Sequence, residues 1–297
     1  MKVILALLAA VAVLFAGAGW VLTAPRPVSA AIARAVSEPG DPEAGRAVYY
    51  VAGCGACHTT GKGDGKTIRL GGGAELKTPF GSLYPPNISP DRADGIGAWS
   101  AADFANALLA GVSRNGEHLY PAFPYPSYHR VAIQDVRDVY AFLRTTEPVS
   151  GKAPPNALRF PFSIRRAVGV WKLLYMPWTI DPPAAAPKEL EARGRYLVEG
   201  PGHCGECHSP RTFLGGVIES RRLTGAVLPD GKKAPNITAS GLKNWSEQDV
   251  ADALATGLTP DGDVLAGAME EVVANLSHAP SQDLAAIAHY VKTFKGP

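Results

Sequence analysis

At 297 residues the chain can bury two modest cores once a terminal segment is set aside. Its 29 basic and 27 acidic residues leave a net charge of +2, too little for a nucleic-acid footprint, so nucleic acid is excluded as a partner. An apolar content of 46% with 26 prolines and 32 glycines suits a globular body of short helices and many loops, and excludes both a membrane bundle and a disordered chain.

The first element is an uncharged apolar run over residues 3–22, behind Lys2 and ahead of Thr23-Ala24-Pro25-Arg26. Twenty residues at helical rise span a bilayer core, and the positive end at Lys2 is expected to stay in the cytoplasm. Residues 1–24 therefore read as a retained anchor. The alternative is an export signal cut near Val28-Ser29-Ala30, a displaced small-residue site. Either reading puts the remainder outside the cytoplasm.

All four cysteines lie in two copies of one pattern, Cys54-Gly55-Ala56-Cys57-His58 and Cys204-Gly205-Glu206-Cys207-His208. In C-x-x-C-H the two thiols add across the vinyl groups of one haem, and the next histidine falls beneath the iron as its proximal ligand. A zinc site would not need a histidine directly after the second cysteine of both copies, and a disulfide framework would not cluster its cysteines so tightly. The expectation is two covalently bound haem c groups. Cys54, Cys57, Cys204 and Cys207 are the attachment points, and His58 and His208 are axial iron ligands.

The halves repeat beyond these motifs. Pro86-Asn87-Ile88-Ser89 recurs as Pro235-Asn236-Ile237-Thr238, and Trp99-Ser100 recurs as Trp245-Ser246. Each Trp-Ser pair opens a predicted helix, 101–110 or 247–256, with Asp103 or Asp249 placed as in a capping box and Gly111 or Gly257 at the end. Closing helices are predicted over 134–145 and 282–294, from apolar residues at helical spacing such as Val136, Val139, Tyr140 and Leu143. The expected fold class is all-α, two tandem domains over 41–147 and 188–297. Residues 148–187 between them form a Pro-rich structured linker, whose Trp171, Leu173, Leu174, Tyr175, Met176 and Trp178 are expected to pack across the domain interface.

Registering the halves on Trp99 and Trp245 without a gap sets Phe123 against Met269. A methionine in the loop before the closing helix reaches the far side of a haem, and thioether ligation raises the reduction potential, so Met269 is the expected sixth ligand of the second haem. The first half has no methionine between its haem motif and the linker. His118, in the equivalent loop, is the candidate sixth ligand of haem 1, with His129, Met176 and an open iron as alternatives. His203, His278 and His289 read as surface or packing residues. Asn87, Asn236, Trp99 and Trp245 read as lining the haem clefts or bonding propionates, and the Asn-Ile-Ser and Asn-Ile-Thr triplets as loop structure ahead of glycosylation sites.

From about Asp41 onward the chain resembles the multihaem c-type cytochromes that serve as electron-accepting subunits of bacterial periplasmic dehydrogenases, the alcohol dehydrogenase cytochrome subunit above all. The likeness rests on both haem motifs, Leu70-Gly71-Gly72-Gly73, Leu119-Tyr120-Pro121-Ala122-Phe123-Pro124-Tyr125, Gly200-Pro201-Gly202-His203-Cys204 and Ser209-Pro210-Arg211. The resemblance implies two class I cytochrome c folds facing the periplasm, on the cytoplasmic membrane or soluble after cleavage. It also implies single-electron transfer from a dehydrogenase subunit or quinol toward a terminal oxidase or soluble cytochrome. In that reading the first haem takes the electron and the Met269-ligated haem passes it on. The alternative is a peroxidase-like enzyme with an open first iron. Two departures stand out: the family's dehydrogenase subunits commonly carry three haems, and Phe123 stands where a methionine is usual.

Overall fold

The computed structural model describes residues 1–60 and 67–296. The apolar run forms α1 (Lys2–Leu22), a 21-residue helix of mean hydropathy 2.5 with no buried residue, long and apolar enough to cross a membrane. It is followed by α2 (Ala30–Ala35), an element absent from the sequence-based expectation. Ser29 caps α2 by accepting from the Ile32 amide, and Val28, Ile32 and Val36, four residues apart, bury one apolar stripe in the first core.

The first half then builds α3 (Pro42–Val51), α4 (Cys54–His58), α5 (Ala101–Ala110), α6 (Tyr125–Tyr128) and α7 (Ile133–Leu143). The linker holds α8 (Val168–Tyr175), and the second half repeats the order as α9 (Leu190–Glu199), α10 (Gly205–His208), α11 (Glu247–Thr256), α12 (Ala268–Leu276) and α13 (Ser281–Thr293). Both predicted capping boxes are present, Ser100 with Asp103 and Ser246 with Asp249, and Gly111 and Gly257 end their helices at φ of 59° and 80°. Among the described residues five short strands accompany the helices, so the chain is mostly helical where the sequence suggested all-α. β1 (Leu76–Thr78), β2 (Gly81–Leu83) and β3 (Ala157–Leu158) form one antiparallel sheet, and β4 (Ala226–Val227) pairs with β5 (Lys233–Ala234). The long loop after each haem motif folds back on itself and pairs its own backbone groups.

In each half the first and last helices cross at a glycine. A Cβ on Gly45 of α3 would lie 1.9 Å from the Asp138 carbonyl oxygen of α7, and one on Gly194 of α9 would lie 2.0 Å from that of Ala286 in α13. The first crossing is tied by the Asp138 carboxylate accepting from the Asp41 amide at 2.8 Å, the second by Arg193 bidentate on Asp283 at 2.8 Å for both bonds. Leu70, Leu109, Val136 and Leu143 lie at the centre of the first core, and Leu197, Val198, Leu223 and Ile287 at that of the second. Val51 and Ala132 of the first half belong to the second core, which therefore draws residues from both halves.

The linker is built into the body. β3 completes the sheet of the first half, and Lys172 of α8 donates to the Ala110 and Gly111 carbonyls at 2.7 Å each. From the same helix Trp171 donates to the Leu214 carbonyl at 3.0 Å, and Tyr175 bonds Thr212 at 2.8 Å. Trp171 also meets Tyr125 of the first half edge-on, with ring centroids 6.3 Å apart, whereas Leu174 and Trp178 remain 60% and 61% exposed.

Candidate functional site

The two C-x-x-C-H segments share one local design. His58 Nδ1 donates to the Pro86 carbonyl at 2.7 Å, and His208 Nδ1 donates to the Pro235 carbonyl at 2.8 Å. A carbonyl can only accept, so each ring carries its proton on Nδ1 and leaves Nε2 free as a lone-pair donor. Burial lowers the pKa of both rings, which keeps them in the neutral form that ligates a metal. The proline of the repeated Pro-Asn-Ile stretch therefore orients the ligand. The repeat is visible in the sequence, but this role for its proline is not.

Loop backbone holds that proline in place. The Gly72 amide donates to the His58 carbonyl at 2.8 Å, as Gly225 does to His208 at 2.8 Å; Ile88 donates to Leu70 at 2.9 Å and Ile237 to Leu223 at 3.0 Å. Gly72 has a φ of 70°, and a Cβ there would lie 2.3 Å from the Pro85 oxygen and 2.5 Å from that of Pro86. Asn87 and Asn236, read as haem-cleft residues, spend their side chains on the loops. Asn87 donates to Val149 and Gly151 at 2.6 and 2.9 Å and accepts from Ser89, while Asn236 accepts from Thr238 at 2.9 Å and donates to Ser240.

The four cysteines are unpaired thiols. Burial, and then the neighbouring thiol of the same motif, pushes Cys54 and Cys204 up to about 12. Two such thiols beside an imidazole with a free Nε2 fit a covalently attached haem at each motif. When bound, haem supplies the one-electron ferric/ferrous couple.

At the candidate sixth-ligand positions the halves diverge. Met269 is half-buried in the first turn of α12, where a loop was expected; Glu270 nucleates that turn by accepting from the Gly267 amide at 2.8 Å. The isolated bridges Val112–His118 and Leu258–Val264 preserve the gap-free register between the halves. In that register Phe123 takes the Met269 position, edge-on to Tyr128 with ring centroids 5.6 Å apart. His118 is 2% exposed; its Nε2 donates to the Thr23 carbonyl at 2.8 Å, and its own carbonyl accepts from Arg165 at 2.8 Å. It lines a cavity of about 250 Å³ with Arg26, Lys172, Met176 and Trp178, and no residue of either haem motif lines that cavity. His129 keeps a buried Nδ1 without a partner.

The two motifs meet at the interface between the halves. His203, directly before Cys204, donates from Nε2 to the Ala52 carbonyl at 3.3 Å, and Tyr128 donates to the same oxygen at 3.0 Å. Burial and the charges of Glu271 and Cys207, both from the second half, raise the pKa of the Cys57 thiol. His278 stacks on Tyr50 with ring centroids 4.5 Å apart, and His289 bonds Glu247 at 3.0 Å.

A family model described as cytochrome c matches residues 42–147. Over 94% of each chain, the protein is 44% identical to a dihaem c-type cytochrome of Cereibacter sphaeroides. The chain belongs to the dihaem c-type cytochromes. It is an electron carrier with two covalently bound haem c groups. The likeness extends to the fructose dehydrogenase cytochrome subunit of Gluconobacter japonicus, 38% identical over 84% of this chain and 51% of that one. It also includes the cytochrome c subunit of a quinone-dependent alcohol dehydrogenase of Gluconobacter oxydans, 35% identical over 84% of this chain and 54% of that one. This dihaem cytochrome thus spans about half the length of the dehydrogenase cytochrome subunits it matches.

Proposed function

We propose that this dihaem cytochrome is the electron-transfer subunit of a periplasmic dehydrogenase, held to the cytoplasmic membrane by α1. In this reading Cys54 and Cys57, and Cys204 and Cys207, attach the haems; His58 and His208 are the proximal ligands and Met269 is the sixth ligand of the second. The observation that carries it is the duplicated histidine–proline carbonyl bond, which orients a free Nε2 beside each pair of thiols. The relatives are a dihaem cytochrome and cytochrome subunits of dehydrogenases, which supports the dehydrogenase partner over the peroxidase-like alternative. The units are 41–147 and 188–297, two class I cytochrome c folds, with the linker 148–187 as their clasp. A thioether on the second iron and none on the first makes the second potential the higher, so electrons enter at the first half and leave toward a terminal oxidase or soluble cytochrome. His118 serves the N-terminal segment in this reading, because Thr23 occupies its Nε2.

The anchor is retained in the same reading. Cleavage after Ala30 would strip Val28 from the first core, the Thr23 carbonyl from His118 and the Val28 amide from Asn106, to which it donates at 2.9 Å. The intact mass of the membrane-extracted protein is expected to include residues 1–30 and two haems. Cross-linking in native membranes is expected to capture a dehydrogenase subunit, and a soluble, truncated chain that captures none would sink the assignment.

A further inference from the structure

The cavity beside His118 lies at the end of α1 that faces the haem domains, since Leu22, the last residue of that helix, lines it. Its charge is one-sided. Arg26 and Lys172 line it, Arg166 lies close enough to lower the pKa of His118, and none of the described lining residues is acidic. The Arg26 guanidinium lies 3.8 Å from the centre of the Trp178 ring, and its Nη1 is a buried donor without a hydrogen-bond partner, as is Nε of nearby Arg166; His118 Nδ1, left with its lone pair by the Nε2 donation to Thr23, can only accept. Buried donors left unpaired cost free energy that an acceptor ligand would recover. Lys172 is equally short of counter-charge: burial, and then Arg26, pushes its amine down to about 7, although two carbonyls accept from it. Most of the remaining wall, Val28, Met176, Pro177 and Ile180 among it, is apolar, with Ser29 and Thr179 the uncharged polar residues there.

We infer that this cavity binds the headgroup phosphate of an anionic phospholipid from the outer leaflet, with Arg26 as its principal donor and Lys172 as its counter-charge. Cationic donors beside apolar walls match a phosphodiester joined to glycerol and the first acyl carbons, and the membrane end of α1 delivers such a molecule to the mouth. The inference rests on retention of α1, because cleavage after Ala30 would remove Arg26.

The test uses the full-length, haem-loaded protein in detergent, with its intact mass checked first. Native mass spectrometry is run with added phosphatidylglycerol or phosphatidylcholine. One phosphatidylglycerol is expected to stay bound per chain in preference to phosphatidylcholine. Arg26→Gln and, separately, Lys172→Gln should weaken retention roughly tenfold, while Arg34→Gln on the exposed side of α2 makes the same charge change without effect. Haem absorbance per chain confirms that each variant is folded. Equal retention of both lipids, or retention unchanged in both cavity variants, overturns the proposal. Displacement of the lipid by sodium phosphate would make a free phosphate the ligand, and displacement by a short-chain quinone would make it a neutral carbonyl compound; either overturns the lipid source. A chain whose mass lacks residues 1–30 defeats the retention reading itself, whereas an intact chain that binds no phosphatidylglycerol defeats this proposal alone.

Discussion

Met269 and Phe123 share one register position of the two halves, and in the proposed assignment that difference sets the redox asymmetry of the molecule. Met269→Leu is expected to abolish the methionine-to-iron charge-transfer band and lower one of the two potentials, within the roughly 0.8 V range that axial ligands command. Phe123→Met is expected to do the converse to the other. A redox titration followed optically checks both, and unchanged potentials in both variants would refute the assignment. His129 offers a residue-scale test of pH dependence. Burial, with Arg130 beside it, pushes its pKa down to about 4 from the usual 6.5. The unfolded chain then binds the proton first, so this contribution to stability is complete above about 6.5 and is lost as pH falls toward about 4. Denaturant midpoints at pH 7, 5.5 and 4.5 are expected to fall more steeply in the wild type than in His129→Gln; parallel slopes would refute it. Covalent chemistry made Cys54, Cys57, His58 and their repeats legible, since those residues act within five positions of one another. His118 was not legible in the same way, because its partner Thr23 lies 95 residues away.

Among the elements, the helix crossings at Gly45 and Gly194 bear most directly on stability. Gly45→Val would drive a side chain into the α7 backbone, and overpacking of this kind costs on the order of 1–3 kcal/mol or more. The denaturation midpoint of the haem-loaded chain measures it, with Gly53→Val as a comparison, since Gly53 has open space around its Cβ position but a left-handed φ of 58°. A larger loss at Gly53 than at Gly45 would show that backbone strain outweighs helix contact. Helix ends were readable, because a Ser/Asp capping box and a terminal glycine are local signals. α2 carries a readable signal too, Ser29 ahead of apolar residues at 28, 32 and 36, but the stronger apolar run just before it masks so short a helix. The sheet was not readable: its strands are two or three residues long, and β3 comes from a linker more than 70 positions beyond β2.

For the whole molecule, the shared core predicts cooperative unfolding. Tyr196 donates to Asp135 at 2.6 Å and accepts from the Ala132 amide at 3.0 Å, Ser127 donates to Glu206 at 2.8 Å, and α8 is bonded to both halves. Denaturant titration followed at the two haems is expected to show a single transition, and two well-separated transitions would mean that the halves are independent. By itself the sequence determined the two C-x-x-C-H motifs, the tandem repeat, the apolar N-terminal helix and the register place of Met269, because each depends on residues near one another or on composition along one segment. Only the tertiary structure decided that Pro86 and Pro235 aim the histidines, that Asn87 and Asn236 serve the loops, and that His118 turns toward Thr23. It likewise decided that the linker clasps both halves. Each of these rests on which backbone group a side chain meets across a long stretch of chain, and that choice is made by packing.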